Sequence, residues 1–211
     1  MSTTRERLRD NDLRFLEVAR ALSDRDWSRQ SLCAEWSNRD VLGHLIVGCQ
    51  VSPGTLAADL IRHRGSFDRC NAALARGVAA RRSPAALIDD FAALIEQPRG
   101  IGRVFPPRLL LGDHVIHELD ILLPLGLEPT VGPEALTEVL ETQVRVPNPF
   151  VPAAARARGL ALHATDVDWR HGHGGPSVAG AAAHLASVLA GRPWALARLS
   201  GDGVAALRKR L

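Results

Sequence analysis

The chain has 211 residues, 46% of them hydrophobic and 23% charged, which is the balance of an ordinary soluble globular protein with one main domain and room for a small appendage. Its formal charge is only +3 and its acidic and basic residues are interspersed, so no patch could grip a phosphate backbone and nucleic acid is not an expected partner. No apolar run approaches the roughly 20 residues of a membrane span, the charged opening MSTTRERLRDND lacks the apolar core of a signal peptide, and Cys33, Cys49 and Cys70 show no CxxC spacing, so a cytoplasmic protein with reduced thiols and no membrane partner is expected.

In residues 4–23, Leu8, Phe15, Leu16, Ala19 and Leu22 recur at three-, four- and seven-residue separations, which predicts a first amphipathic helix whose stripe Asp12 interrupts. SDRDWSRQSLCAEW then reads as irregular. Ser37 as N-cap, Asp40 three residues on, and Trp36 and Val41 placed as a hydrophobic staple open a second helix from Asn38 to the low fifties, before Pro53. A third helical region covers roughly 66–82, and Ser83-Pro84 starts another through about Gln97. Pro98, Gly100, Gly102, Pro106 and Pro107 mark a loop. The helix LLLGDHVIHELDILLPLG follows over 109–126, and Pro133 begins one more, ending near Pro147-Asn148-Pro149. Beyond Gly159 the character changes. GLALHATDVDWRHG alternates as a strand with a turn after it, and HGHGGP reads as a loop. SVAGAAAHLASVLAGRP reads as a helix ending at glycine, and LSGDGVAALRKRL as a turn and a last helix. The expected organisation is a helical bundle over residues 1–150 and a small α/β segment over 151–211.

The helix over 109–126 poses the chemical question. It is apolar enough for a core, yet carries Asp113, His114, His117, Glu118 and Asp120 within eight positions. An unpaired buried charge costs several kcal/mol or forces the group to neutralise, so something must satisfy them. Positions four apart share a helix face, which pairs Asp113 with His117, and Asp120 continues that stripe. A carboxylate and an imidazole on adjacent turns supply two ligands to one divalent ion. His44, on the otherwise apolar stripe Val41, His44, Leu45, Gly48 of a neighbouring helix, is the candidate third ligand, with Gly43 and Gly48 leaving space beside it. Three protein ligands leave a coordination position open, as in catalytic rather than structural zinc sites. The same residues also suit a core histidine bonded to a carbonyl and a solvated Asp/His pair. His114 could replace Asp113, although it lies on the other edge of the helix.

SLCAEWSNRDVLGHL resembles the C-x-x-W-(S/T)-x-(R/K)-D-(V/I)-(L/V)-x-H-L segment of the mycothiol-dependent maleylpyruvate isomerase family, within the DinB-like superfamily. LLLGDHVIHELDILLPLG resembles that family's second signature, and DVDWRHGHGGPSVAGAAAHLASVLAGRP with LSGDG resembles its C-terminal segment. The resemblance implies a mainly α fold, a DinB-like antiparallel four-helix bundle with a small C-terminal α/β appendage. It implies a divalent ion, zinc first, held by His44, Asp113 and His117, with Asp113 standing where the isomerase has glutamate. It also implies mycothiol, whose sulfur would take the open metal position and lose its proton there. Trp36 is expected in the core staple rather than at the cofactor. Asp120 is expected behind a ligand imidazole, and Arg170 as the counterpart of a C-terminal arginine that helps with substrate. His171 and His173 are expected as solvated loop residues, and Cys33 as a small buried hydrophobe.

The function so implied is metal-dependent activation of a low-molecular-weight thiol for S-transfer or cis–trans isomerisation of a small electrophile, by an isomerase or transferase that pairs into homodimers as such bundles commonly do. Nickel or iron would also accept two histidines and a carboxylate. The rival readings are a non-catalytic bundle that holds a metal or small ligand, and a metal-free bundle in which Asp113 and His117 form a buried ion pair.

Overall fold

Hydroxyl side chains start the first six helices of the computed structural model, which describes residues 2–148 and 151–211. Thr3 caps α1 (Thr4–Ala21), Ser23 caps α2 (Asp24–Ser28) and Ser37 caps α3 (Asn38–Gln50), each in a reciprocal capping box with an acidic residue three positions on. Ser52, Ser66 and Ser83 cap α4 (Pro53–Arg62), α5 (Phe67–Ala80) and α6 (Pro84–Glu96). Helix α7 (Pro107–Leu125) starts on proline and stops at Gly126, whose φ of 74° ends the helix in the left-handed region. After α8 (Pro133–Arg145) and α9 (Ala153–Ala157) come β1 (Ala161–Ala164), β2 (Arg170–His171), β3 (Ser177–Gly180), α10 (Ala182–Leu189) and α11 (Val204–Arg208).

Three local readings need correction. The stretch taken as irregular contains α2, held by Ser23 and Asp26. Helix α4 begins at Pro53, where the sequence predicts only the end of the preceding helix. SVAG is strand β3 rather than the start of a helix, because its backbone pairs in parallel with β1, Leu162 opposite Val178. The boundary expected at about residue 150 falls on Pro149 and Phe150, which lie outside the described residues.

Helices α1, α7, α3 and α6 pack in a closed ring, each against two neighbours, with α5 laid along the outside of α3. This is the expected mainly α bundle with a small α/β appendage, whose sheet has the order β2-β1-β3. Helix α7 serves two cores. Ile121 and Leu122 join Phe15, Trp27, Leu42, Leu45 and Phe91 inside the ring. Leu111, Val115 and Leu119 join α8 and the C-terminal segment, through Leu162, Val178, Leu185 and Leu207. A helix buried between two cores reads as apolar nearly all round. No helix among the described residues is long and apolar enough to cross a membrane.

The space at Gly43 is taken by α5 rather than kept for a ligand. A Cβ there would lie 2.6 Å from the Ala75 carbonyl oxygen and 3.3 Å from Ala79 Cβ, whereas at Gly48 nothing lies within 4 Å. We therefore expect Gly43→Ala to lower stability by about 1–3 kcal/mol through overpacking, and Gly48→Ala to be neutral or to stabilise by up to about 1 kcal/mol through helix propensity. Urea denaturation of the two variants checks the contrast, and equal effects would refute the close α3–α5 approach.

Candidate metal centre

His44 projects from the middle of α3 toward Asp113 and His117, which stand one turn apart on α7. The Nε2 of His44 lies 3.2 and 3.4 Å from the two Asp113 carboxylate oxygens, and that of His117 lies 3.5 Å from Oδ1. The two imidazoles meet edge to face, with centroids 4.5 Å apart. One ligand atom from each residue falls within 4.8 Å of the others. The indole of Trp36, one residue before the α3 cap, lies 5.4 Å from the His44 ring and stacks on His117 at 6.2 Å. Trp36 packs against the bundle core, as expected of a staple residue, and also forms a wall of this group. The Asp113 side chain is 37% exposed while both histidines are nearly covered. The group therefore opens to solvent on the carboxylate side.

The outer nitrogens of both imidazoles are engaged. His44 Nδ1 lies 2.9 Å from Asn71 Oδ1 of α5. His117 Nδ1 donates to Asp120 Oδ2 at 3.0 Å. Asp120 is fully buried, and Arg192, just after α10, grips it at both oxygens, Nε to Oδ1 at 2.9 Å and Nη2 to Oδ2 at 2.7 Å. Cys33 completes the cluster, its thiol donating to Asp120 Oδ2 at 3.0 Å and accepting from Arg192 Nη2 at 3.2 Å. Burial works against the Asp120 charge, but the Arg192 guanidinium outweighs it and holds the carboxyl well below the usual range.

This arrangement fixes where protons can sit. Asp120 is ionised and can only accept, so His117 Nδ1 carries its proton, and with Asn71 Oδ1 accepting, His44 Nδ1 does too. Both Nε2 atoms then turn toward the Asp113 carboxylate. Neutral imidazoles would set their Nε2 lone pairs against its oxygens, which is repulsive unless a cation lies between them. That donor set, two imidazoles and a carboxylate, fits a divalent metal ion. Without one, a proton does the work. Burial opposes charge on His117, yet Asp113 and Asp120 on either side raise its pKa well above the usual imidazole value. Burial likewise opposes ionisation of Asp113, but His44 and His117 hold it well below the carboxylate range. A metal must displace that proton, so its affinity rises with pH.

The other charges of α7 are satisfied on the opposite side, against α1. His114 Nδ1 lies 2.9 Å from both Asp12 oxygens, which explains the acid interrupting the α1 stripe. Fully buried Glu118 accepts from Thr130 N and Oγ1 at 2.8 Å and from Asn11 Nδ2 at 3.1 Å, while Asn11 Oδ1 has no partner. Burial raises the Glu118 pKa from 4.5 to about 7. The folded form then binds the proton more tightly than the unfolded chain, so stability falls as pH rises from about 4.5 to about 7, by about 3 kcal/mol. We expect Glu118→Gln to remove most of that slope. Chemical denaturation of both proteins across that window, with chelator present, checks it, and parallel pH curves would refute it.

Arg170 lies exposed on β2 and makes no hydrogen bond or ion pair with the cluster. The C-terminal arginine that reaches it is Arg192, missed in the sequence because GRP reads only as a helix end. Asn71 was missed too, since one polar residue on a helix signals nothing by itself. His171 stacks on Trp169 at 6.2 Å and His173 is exposed in its loop. Cys33 is half-buried in polar contacts rather than a plain hydrophobe, and all three cysteines are unpaired. A surface cavity of about 630 Å³ lies away from the group, beside Arg7, Arg108 and Glu138.

The helical ring, the added α/β segment and the histidine–carboxylate group between two ring helices together define a mainly α helical-bundle protein with a candidate metal centre in its bundle. Residues 8–122 match the mycothiol maleylpyruvate isomerase N-terminal domain, and the chain belongs to that family. Two crystal structures of mycothiol-dependent maleylpyruvate isomerase, one of them a histidine-to-alanine mutant, share the fold. Their TM-scores are 0.57 and 0.59 for the native protein and the mutant, each at 16% identity over 95% of this chain and 93% of theirs. No curated protein sequence matches the chain.

Proposed function

We propose that this protein is a divalent-metal-dependent enzyme that activates mycothiol for cis–trans isomerisation or S-transfer on a small electrophilic substrate. His44, Asp113 and His117 hold the ion, with zinc the first candidate and nickel or iron compatible with the same donors. The observation that carries this reading is the convergence of two imidazole Nε2 atoms on one carboxylate, with both outer nitrogens already engaged. Family membership supports the thiol and the reaction class.

An ion in this position would stabilise the thiolate form of a coordinating thiol at neutral pH. The residues do the rest. Asp113, the most exposed of the three, leaves the open side by which thiol and substrate enter. Trp36 and the buried flank of His117 keep bulk water from the other side. Asp120 acts through His117, holding its proton on Nδ1, and does not touch the reacting atoms. Among the described residues no fourth donor joins the group, which favours an open catalytic position over a closed structural one.

The test is metal analysis of the purified protein together with calorimetric titration of mycothiol into metal-loaded and chelator-treated samples. About one ion per chain and thiol binding that disappears on chelation are expected. Absence of metal and indifference to chelators would leave the buried ion pair as the correct reading. Bound metal with no thiol binding would leave a non-catalytic metal-holding bundle.

A further inference from the structure

His117 belongs to two groups with metal-binding geometry. One is His44, Asp113 and His117; the other is Cys33, His117 and Asp120. They use opposite nitrogens of the same ring. In the second group the separations are 3.0 Å from Cys33 Sγ to Asp120 Oδ2, 3.0 Å from His117 Nδ1 to Asp120 Oδ2, and 3.8 Å from Sγ to Nδ1. Ligands around a tetrahedral ion with zinc-like bond lengths stand roughly 3.3–3.8 Å apart. A thiolate, an imidazole and a carboxylate are also a stronger donor set for zinc or cobalt than two imidazoles and a carboxylate.

What separates the two groups is Arg192. Its guanidinium lies 2.7 and 2.9 Å from the Asp120 oxygens and 3.2 Å from Cys33 Sγ, so a positive charge already occupies the second group. The first group contains no such side chain. Arg192 is held for this position: Nη1 donates to the Ala190 carbonyl at 2.7 Å, and Gly191, with φ of 96°, turns the chain so that the side chain points back at α7. Arginine does not lose its proton in a protein, and a divalent ion placed against it would meet both its charge and its N–H groups.

We propose that Arg192 is a resident cation that keeps divalent metal out of the Cys33–His117–Asp120 group and so assigns the ion to His44, Asp113 and His117. The assignment works through charge and space. With Arg192 present, its guanidinium fills the position between Cys33 Sγ and the two Asp120 oxygens that an ion would need, and the outer group stays free of it. With Arg192 replaced by a neutral side chain, an ion binds Cys33 Sγ, His117 Nδ1 and Asp120; the Cys33 proton passes to solvent and the neutral imidazole keeps its proton on Nε2, facing Asp113. The C-terminal segment thereby decides where metal sits in the N-terminal bundle. This inference rests on the metal-centre reading above, and its test separates the two.

The probe is Co²⁺ alone, added to the full-length chain and to R192M, R192Q and R192M/C33S, with folding followed by far-ultraviolet circular dichroism. Arg192→Gln can still donate to Asp120, which guards against a variant that fails to fold. Wild type is expected to take one ion with visible d–d bands and no thiolate-to-cobalt absorption in the near ultraviolet. R192M and R192Q are expected to gain that sulfur band, and R192M/C33S to lose it. Spectra of R192M and R192Q indistinguishable from wild type would overturn the role of Arg192 while leaving the metal centre in place. A sulfur band in wild type would overturn it as well. If wild type binds no cobalt and the neutral variants bind it through sulfur, the exclusion by Arg192 stands and the metal-centre reading falls. If no form binds cobalt, both fall.

Discussion

His117→Ala is expected to purify without divalent metal and to bind added zinc more than about 100-fold more weakly than wild type in competition with a chromophoric chelator. Loss of a partner that merely orients a ligand costs about 10–100-fold in affinity, and this substitution removes one of the three proposed ligands itself. What remains, His44 and Asp113, is two donors from two helices. The fold should survive, because Asp120 keeps both bonds to Arg192. His114→Ala is the matched control. It removes a histidine from the same helix, but one that faces Asp12 on α1, so metal content should not change. Unchanged metal in H117A, or equal loss in both variants, would end the assignment of His44, Asp113 and His117 as ligands.

The largest stability effect is expected at Asp12. Its carboxylate and His114 are 4% and 3% exposed and form an ion pair at 2.9 Å across the α1–α7 contact. Removing one member of such a pair leaves the other buried without a counter-charge, which costs about 3–5 kcal/mol. For a chain of this length that is a fall in Tm of roughly 6–20 °C for Asp12→Ala. After the change, the nearest hydrogen-bonding group left to the imidazole is Cys49 Sγ at 3.8 Å. The penalty should depend on pH in a defined sense. Burial opposes charge on His114, but Asp12 raises its pKa well above 6.5. The pair's contribution is therefore complete below the unfolded histidine pKa and fades as pH rises through the folded one. Replacing both residues by apolar groups, Asp12→Leu with His114→Phe, should recover much of the loss. A loss in D12A below about 1 kcal/mol, the range of an exposed pair, would refute the buried geometry.

Much of the fold was legible because helix starts are local. The Ser37/Asp40 box and the Ser83-Pro84 start act within one turn, and both helices begin there. Ser52-Pro53 carries the signature of Ser83-Pro84, so α4 could have been read by the same rule. SVAG could not. Four small and apolar residues before an alanine-rich run suit a helix, and only parallel pairing with β1, sixteen residues earlier in register, makes them a strand. The i,i+4 spacing of Asp113 and His117 put the two on one face, and the apolar stripe of α3 singled out His44, to which the family resemblance also pointed. Gly43 had no such guide, and the space beside it went to α5.

The sequence by itself determined the helical bundle with its α/β appendage, the family, and the grouping of His44, Asp113 and His117, since periodicity, capping and motif spacing are written within short stretches of chain. Tertiary structure alone decided which groups satisfy the charged helix: Asp12 for His114, Asn11 and Thr130 for Glu118, Asn71 for His44, and Arg192 for Asp120. Most of those partners lie far away in sequence, Asp12 by 102 residues and Arg192 by 72. A hydrogen bond or ion pair acts over about 3 Å in space whatever the separation along the chain, so no local pattern could announce them.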